Sequence, residues 1–187
     1  MKKLFIFFVI SMFAFVANAQ KHLSFMGIPL NGSVTSFQQK LAAKKVWPDK
    51  ELNAILSVGR RAFNGPFSGY DSEICVYYNE KSKNVYRAKA TITNTDENIT
   101  LDRYDEFKKL LCEKYKTGRF LEGTQDGYYA YSIIVPDDKD PESILGKIDL
   151  YISKEELSPL DYQYILHIDY TDWANKEKNK EEKLSDL

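Results

Sequence analysis

Tyr162-Gln163-Tyr164-Ile165-Leu166-His167-Ile168-Asp169-Tyr170 is the stretch that decides the fold. Tyr162, Tyr164, Leu166, Ile168 and Tyr170 alternate with Gln163, Ile165, His167 and Asp169. Period-two alternation puts one set of side chains on each face of an extended strand. One face here is apolar and aromatic and needs cover; the other mixes apolar and polar groups. Residues 147–153 alternate in the same way, with Ile148, Leu150 and Ile152 against Asp149, Tyr151 and Ser153. Residues 128–135 are rich in tyrosine and β-branched side chains, a third strand signal. No helical pattern separates the three segments, so they are expected to pair antiparallel through hairpins.

The first half of the chain carries a similar pattern behind a helix. Residues 73–78 set Ile74, Val76 and Tyr78 against Glu73, Cys75 and Tyr77. Residues 85–92 set Tyr86, Ala88, Ala90 and Ile92 against Arg87, Lys89 and Thr91. The polar run 79–84 reads as the turn of a hairpin with one buried face. Upstream, Gly65, Pro66 and Gly69 punctuate residues 60–70, which predicts an edge strand with a bulge or sharp bend. Val34, Phe37 and Leu41 fall at i, i+3 and i+7, the stripe of an amphipathic helix. Ser33 or Thr35 is its candidate cap, and Trp47-Pro48 its stop. Residues 51–58 read either as a short second helix or as the lead into a strand. In the second half, Tyr104, Phe107, Leu111 and Tyr115 repeat at helical spacing within 101–115, and Gly118 offers a stop.

The order therefore repeats: a helix, then about three antiparallel strands, over 20–94 and again over 95–173. One helix with three strands is marginal alone. The halves are expected to share a core as one α+β domain over 20–173, two α-β-β-β units with helices packed on one face of an antiparallel sheet. Residues 174–187 are nearly all charged or polar and are expected to form a frayed helix or a disordered tail.

The first nineteen residues read as a signal peptide. Lys2 and Lys3 precede an apolar run over 4–16, and Ala17-Asn18-Ala19 is an A-x-A cleavage site that leaves Gln20 as the mature N-terminus. The run is shorter than the roughly 20 residues a membrane-spanning helix needs. The expected location is the periplasm or the cell exterior, with no membrane span in the mature form. The chain has net charge −1, and loss of Lys2 and Lys3 takes it to −3. No basic excess exists to match a phosphate backbone, which argues against nucleic acid as a partner.

Chemistry-bearing motifs are scarce. The sequence holds no H-E-x-x-H, C-x-x-C, G-x-S-x-G or phosphate-cradling glycine loop, and implies no cofactor. Of two histidines, His22 falls just past the cleavage site, where chains are usually mobile. His167 and Asp169 share a strand face and could serve as acid and base or as metal ligands. Asp138, Asp140 and Glu142 place oxygen ligands at alternating positions, a candidate cation site that lacks the glycine and distal glutamate of an EF-hand. Cys75 and Cys112 are two cysteines in an exported chain, either a disulfide or two separately buried thiols. Tyrosines on strands could pack under the helices or stand on an open face and bind sugars or a protein. Tyr129 and Tyr131 share a face with Ile133 and Val135 and read as core. Tyr151 shares its face with Asp149 and Ser153 and reads as exposed.

Three stretches carry a resemblance. They are His22-Leu23-Ser24-Phe25-Met26-Gly27-Ile28-Pro29-Leu30-Asn31-Gly32 with Phe37 and Leu41 after it, then Phe63-Asn64-Gly65-Pro66-Phe67-Ser68-Gly69-Tyr70 followed by Cys75, and Leu110-Leu111-Cys112-Glu113-Lys114-Tyr115. They resemble small exported proteins common in Bacteroidetes. The helix-plus-sheet repeat is similar in outline to the β-lactamase inhibitor protein-like architecture, a scaffold associated with protein binding. No functional residue transfers with that likeness. The function expected is a non-enzymatic exported module that binds a protein, with Tyr151, Asp149, His167 and Asp169 as candidate contact residues. One alternative is a glycan-binding module using exposed sheet tyrosines. The other is a hydrolase built around His167 and Asp169.

Overall fold

The computed structural model describes residues 22–125 and 127–185, so the expected signal peptide at 1–19 lies outside the described residues. In chain order the elements are β1 (Ser24–Phe25), β2 (Ile28–Pro29), α1 (Val34–Ala42), β3 (Trp47–Pro48), α2 (Lys50–Ile55), β4 (Arg60–Phe67), β5 (Tyr70–Tyr78) and β6 (Val85–Asn94). Then follow α3 (Glu97–Lys114), β7 (Arg119–Gln125), β8 (Tyr128–Pro136), β9 (Ile144–Ser158), β10 (Asp161–Asp172) and α4 (Trp173–Leu184). β1 and β2 form a small hairpin. The other eight strands form one antiparallel sheet in the order β3-β4-β5-β6-β10-β9-β8-β7. The fold is α+β. Four strands from each half meet at the β6–β10 pairing, where Leu166 faces Ile92 and Ile168 faces Ala90.

Local chemistry explains the element boundaries. The four helices among the described residues all start on a side-chain cap: Ser33, Asp49, Asp96 and Asp172 each accept from a backbone N–H in the first turn. Ser68 and Gly69 both have positive φ, at 50° and 90°, which matches the tight hairpin turn whose twist suits flanking strands. That turn divides the expected single edge strand at 60–70 into the end of β4 and the start of β5. Asn79 closes the β5–β6 turn by accepting from the N–H groups of Lys81 and Ser82, both at 2.8 Å.

The core lies on one face of the sheet. β10 contributes Leu166, Ile168 and Tyr170; β9 contributes Ile148, Leu150 and Ile152. Val34, Phe37 and Leu41 from α1, and Tyr104, Phe107 and Leu111 from α3, complete the same cluster. An aromatic column ties the layers: Phe25 stacks on Phe67 at 5.2 Å, and Phe67 on Phe107 at 5.8 Å. Truncating a buried Leu or Ile in such a core to Ala costs about 2–5 kcal/mol.

Several expectations change. Of the two alternatives for the C-terminal segment, the helix is the one present, over Trp173–Leu184. The segment has little apolar surface, and hydrogen bonding holds it instead. Asp172 is fully buried and accepts from Asn175 N at 3.0 Å and Leu23 N at 2.9 Å, with His22 Nδ1 at 3.1 Å. Asn175 Nδ2 donates to Leu30 O at 2.7 Å and Val85 O at 3.3 Å. His22 is thus packed against the helix cap rather than mobile. Cys75 and Cys112 are free thiols. Cys75 faces away from the core cluster on β5, while Cys112 on α3 packs against it and meets Tyr131 Oη at 3.1 Å. The sheet stands between them, so of the two alternatives the separate thiols are present and a bridge has no path. Tyr131 is buried, but Tyr129 is 72 % exposed, beyond the cover of the helices.

Candidate functional site

The second face of the sheet is a grid whose rows run across the strands. One row sets Arg87, Thr171, Lys147 and Ile134 side by side on β6, β10, β9 and β8. The next holds Lys89, Asp169, Asp149 and Ser132, and the third Thr91, His167, Tyr151 and Ala130. α1 and α3 lie on the core face. α2 contacts the edge strand β4, and α4 borders the second face beside Arg87 and Thr171. Between them Lys89, Thr91, Asp149, Tyr151 and Ser153 are half-buried, and Glu73 and Thr93 are exposed.

The four residues singled out in the sequence form a two-by-two block at the middle of this grid. Asp169 stands opposite Asp149, and His167 opposite Tyr151. Two like charges directly opposed across a strand pair are unfavourable. Each carboxylate is matched from the side. Arg87 Nε donates to both oxygens of Asp169, at 2.8 and 3.1 Å, and one Nη also donates to it. Lys147 Nζ lies 2.7 Å from Asp149 Oδ1, and the Ser132 hydroxyl donates to the same carboxylate. Asp169 is buried and Asp149 half-buried, so the first pair is the better shielded from solvent. The Asp169 hydrogen bonds hold the Arg87 guanidinium charged even against the burial that opposes it. Arg87 also lies 4.5 Å over the Tyr77 ring. Burial pushes the Tyr77 hydroxyl and the neighbouring Cys75 thiol up from their ordinary values.

His167 is the most constrained side chain of the block. Its ring stacks on Tyr151 with centroids 4.5 Å apart and an interplanar angle of 22°. Nε2 and the Ser153 hydroxyl share a 2.7 Å hydrogen bond. Nδ1 is buried without a hydrogen-bond partner. Burial, reinforced by the positive charge of Lys89, lowers the imidazole pKa from 6.5 to about 4. The ring is therefore neutral at pH 7. Asp169, which a Ser-His-Asp relay would need at Nδ1, is bound to Arg87 instead.

Among the described residues, no three His, Cys, Asp or Glu side chains gather as a metal site requires. Asp138, Asp140 and Glu142 accordingly do not form a ligand set. Their loop is held by its own turns: Asp137 accepts from Lys139 N, and Asp140 accepts from Glu142 N. No helix among the described residues is long and apolar enough to cross a membrane. Arg87, Lys147, Ser132 and Ser153 were not among the sequence candidates. Their alternation was visible, but the role of Arg87 depends on β6 lying beside β10, which no local pattern reveals, and those of Ser132 and Ser153 depend on the registers of β8 with β9 and of β9 with β10. Comparison with family models, curated proteins and solved structures gives no match to this chain.

Proposed function

We propose that the chain is an exported, non-enzymatic binding module that receives a protein partner on the uncovered face of its sheet. The observation that carries this reading is the block of Tyr151, His167, Asp149 and Asp169. Stacking, the cross-strand Arg87–Asp169 pair and the Lys147–Asp149 pair along β9 fix it in place, on a face whose middle has no helix over it among the described residues. A surface ordered before binding loses little side-chain entropy on association. Aromatic and arginine groups, here Tyr77, Tyr151 and Arg87, are the types that dominate binding energy at protein interfaces. Export rests on residues 1–19, and the likeness to small exported proteins points the same way.

The neutral, weakly basic His167 and the diversion of Asp169 to Arg87 favour a rigid contact surface over a proton relay. The glycan reading draws on one feature, the Tyr151 ring lying flat on His167 like a stacking platform. Cross-linked capture from envelope and culture-medium fractions separates the two. The protein reading predicts one enriched protein that is lost with Tyr151→Ala and with Thr93→Arg. Retention of polysaccharide with no enriched protein would replace it with the glycan reading. Turnover in a hydrolase screen that disappears with His167→Ala would overturn both.

A further inference from the structure

A cleft of about 440 Å³ opens where α4 borders the uncovered face. That volume lies within the range of ordinary ligand pockets. Arg87, Lys176, Lys180 and Lys183 line it, beside Tyr86 and Leu184. No described residue in its lining is acidic, although the whole chain carries more Asp and Glu than Lys and Arg. With the Arg87 charge already matched by Asp169, the three lysines are the excess positive charge of the cleft, gathered locally against the net charge of the molecule.

Lys176, Lys180 and Lys183 follow an i, i+4, i+7 spacing and so stand on one stripe of α4. At 1.5 Å of rise per residue the stripe extends about 10 Å. The Lys180–Glu177 contact is at 4.0 Å and exposed, and contributes little. Arg87 enters from the sheet, already oriented because Asp169 engages Nε and one Nη. The rest of its donor fork is not used by that pair. Positive charges collected in one cleft repel one another and favour a bound anion.

The spread of the cations selects the kind of anion. One phosphate group fits a compact cradle of backbone N–H groups, which a row of separate ammonium groups is not. A membrane surface calls for a basic, amphipathic protruding face, whereas this site is concave. Charges distributed over about 10 Å match carboxylates distributed along a chain. We propose that the cleft receives a carboxylate-rich segment of the protein partner. The proposal rests on the reading of the uncovered face as a protein-binding surface, and adds what the partner must present there.

The test is a titration of the purified protein with a hexaglutamate peptide at 50 mM and 200 mM salt, with inorganic phosphate and hexalysine alongside. Saturable hexaglutamate binding that weakens at the higher salt is expected. The Lys176→Glu/Lys180→Glu/Lys183→Glu variant should weaken it at least tenfold, while Lys178→Glu on the same helix leaves it within twofold. Lys-to-Gln versions of the triple variant check that charge loss, rather than unfolding, is responsible. Absence of hexaglutamate binding, equal loss with Lys178→Glu, or equal binding of phosphate alone would overturn the proposal. If Tyr151→Ala abolishes capture of the partner but the triple variant does not, this proposal fails and the proposed function stands. If hexaglutamate binds as expected while capture ignores every uncovered-face variant, the proposed function fails instead.

Discussion

At the scale of the residue, His167 couples the uncovered face to pH. It is buried and neutral, and burial sets its folded pKa at about 4, below the unfolded 6.5. Protonation therefore favours the unfolded chain. The stability that depends on the neutral ring is complete above pH 6.5 and is lost as pH falls toward 4. The loss is on the order of 3 kcal/mol. Melting temperature measured in steps from pH 7.5 to 4 should drop across this window, and His167→Gln should flatten the drop. Equal slopes for the two proteins would contradict the burial argument. The cysteines give a second residue-scale prediction. Alkylation of the unreduced, denatured protein should add two labels per chain, since Cys75 and Cys112 lie on opposite sides of the sheet; no label would mean a bridge. Both thiols could be assigned to elements from the sequence, but the side of the sheet each faces required the sheet order.

At the scale of the element, β9, β10 and α4 act as one unit. Gly146 pairs with Asp172, and a Cβ built on it would meet Thr171 O at 2.1 Å. Gly146→Ala must push the β9 and β10 backbones apart where Asp172 caps α4. A loss of about 2–4 kcal/mol is expected in denaturant unfolding, the scale of other severe backbone strain. Asp172→Ala leaves buried donors at Leu23 and Asn175 without an acceptor and should cost about 3 kcal/mol. A change below 0.5 kcal/mol in either variant would show that this junction is not what anchors α4. The strands β5, β6 and β9 were legible because burial on one face forces alternation, whereas β10, buried on both faces from Tyr164 to Tyr170, was legible from the polar groups alternating among its apolar and aromatic ones. β7 was not legible, because all seven of its residues are exposed and an edge strand pairs on one side only. α4 was not legible either. It is anchored by a capping aspartate and one buried asparagine rather than by an apolar stripe, so the signal that identifies α1 and α3 is missing.

At the scale of the molecule, one sheet built from both halves carries a packed face and one that, among the described residues, no helix covers at its middle. α1 and α3 cover the apolar side, while Tyr77, Arg87, Tyr151 and the carboxylate pair stand on the other. Which residues share the uncovered face followed from alternation. Which of them touch did not, because the β6–β10 contact joins residues about 80 positions apart. Surface charge on that face should matter to binding more than to folding. Glu73→Lys, on an exposed site of β5, is expected to change the partner's association rate several-fold while melting temperature moves by less than about 2 °C. An unchanged rate at low salt would place the partner elsewhere. The proposed function places a protein partner on the uncovered face. Site-specific photo-crosslinking tests it most directly, with a photoreactive side chain at Thr91 on that face and, separately, at the exposed Leu110 on α3. A single protein crosslinked from position 91 and not from position 110 is the predicted result. Crosslinks from position 110 alone, or the same products from both, would contradict it.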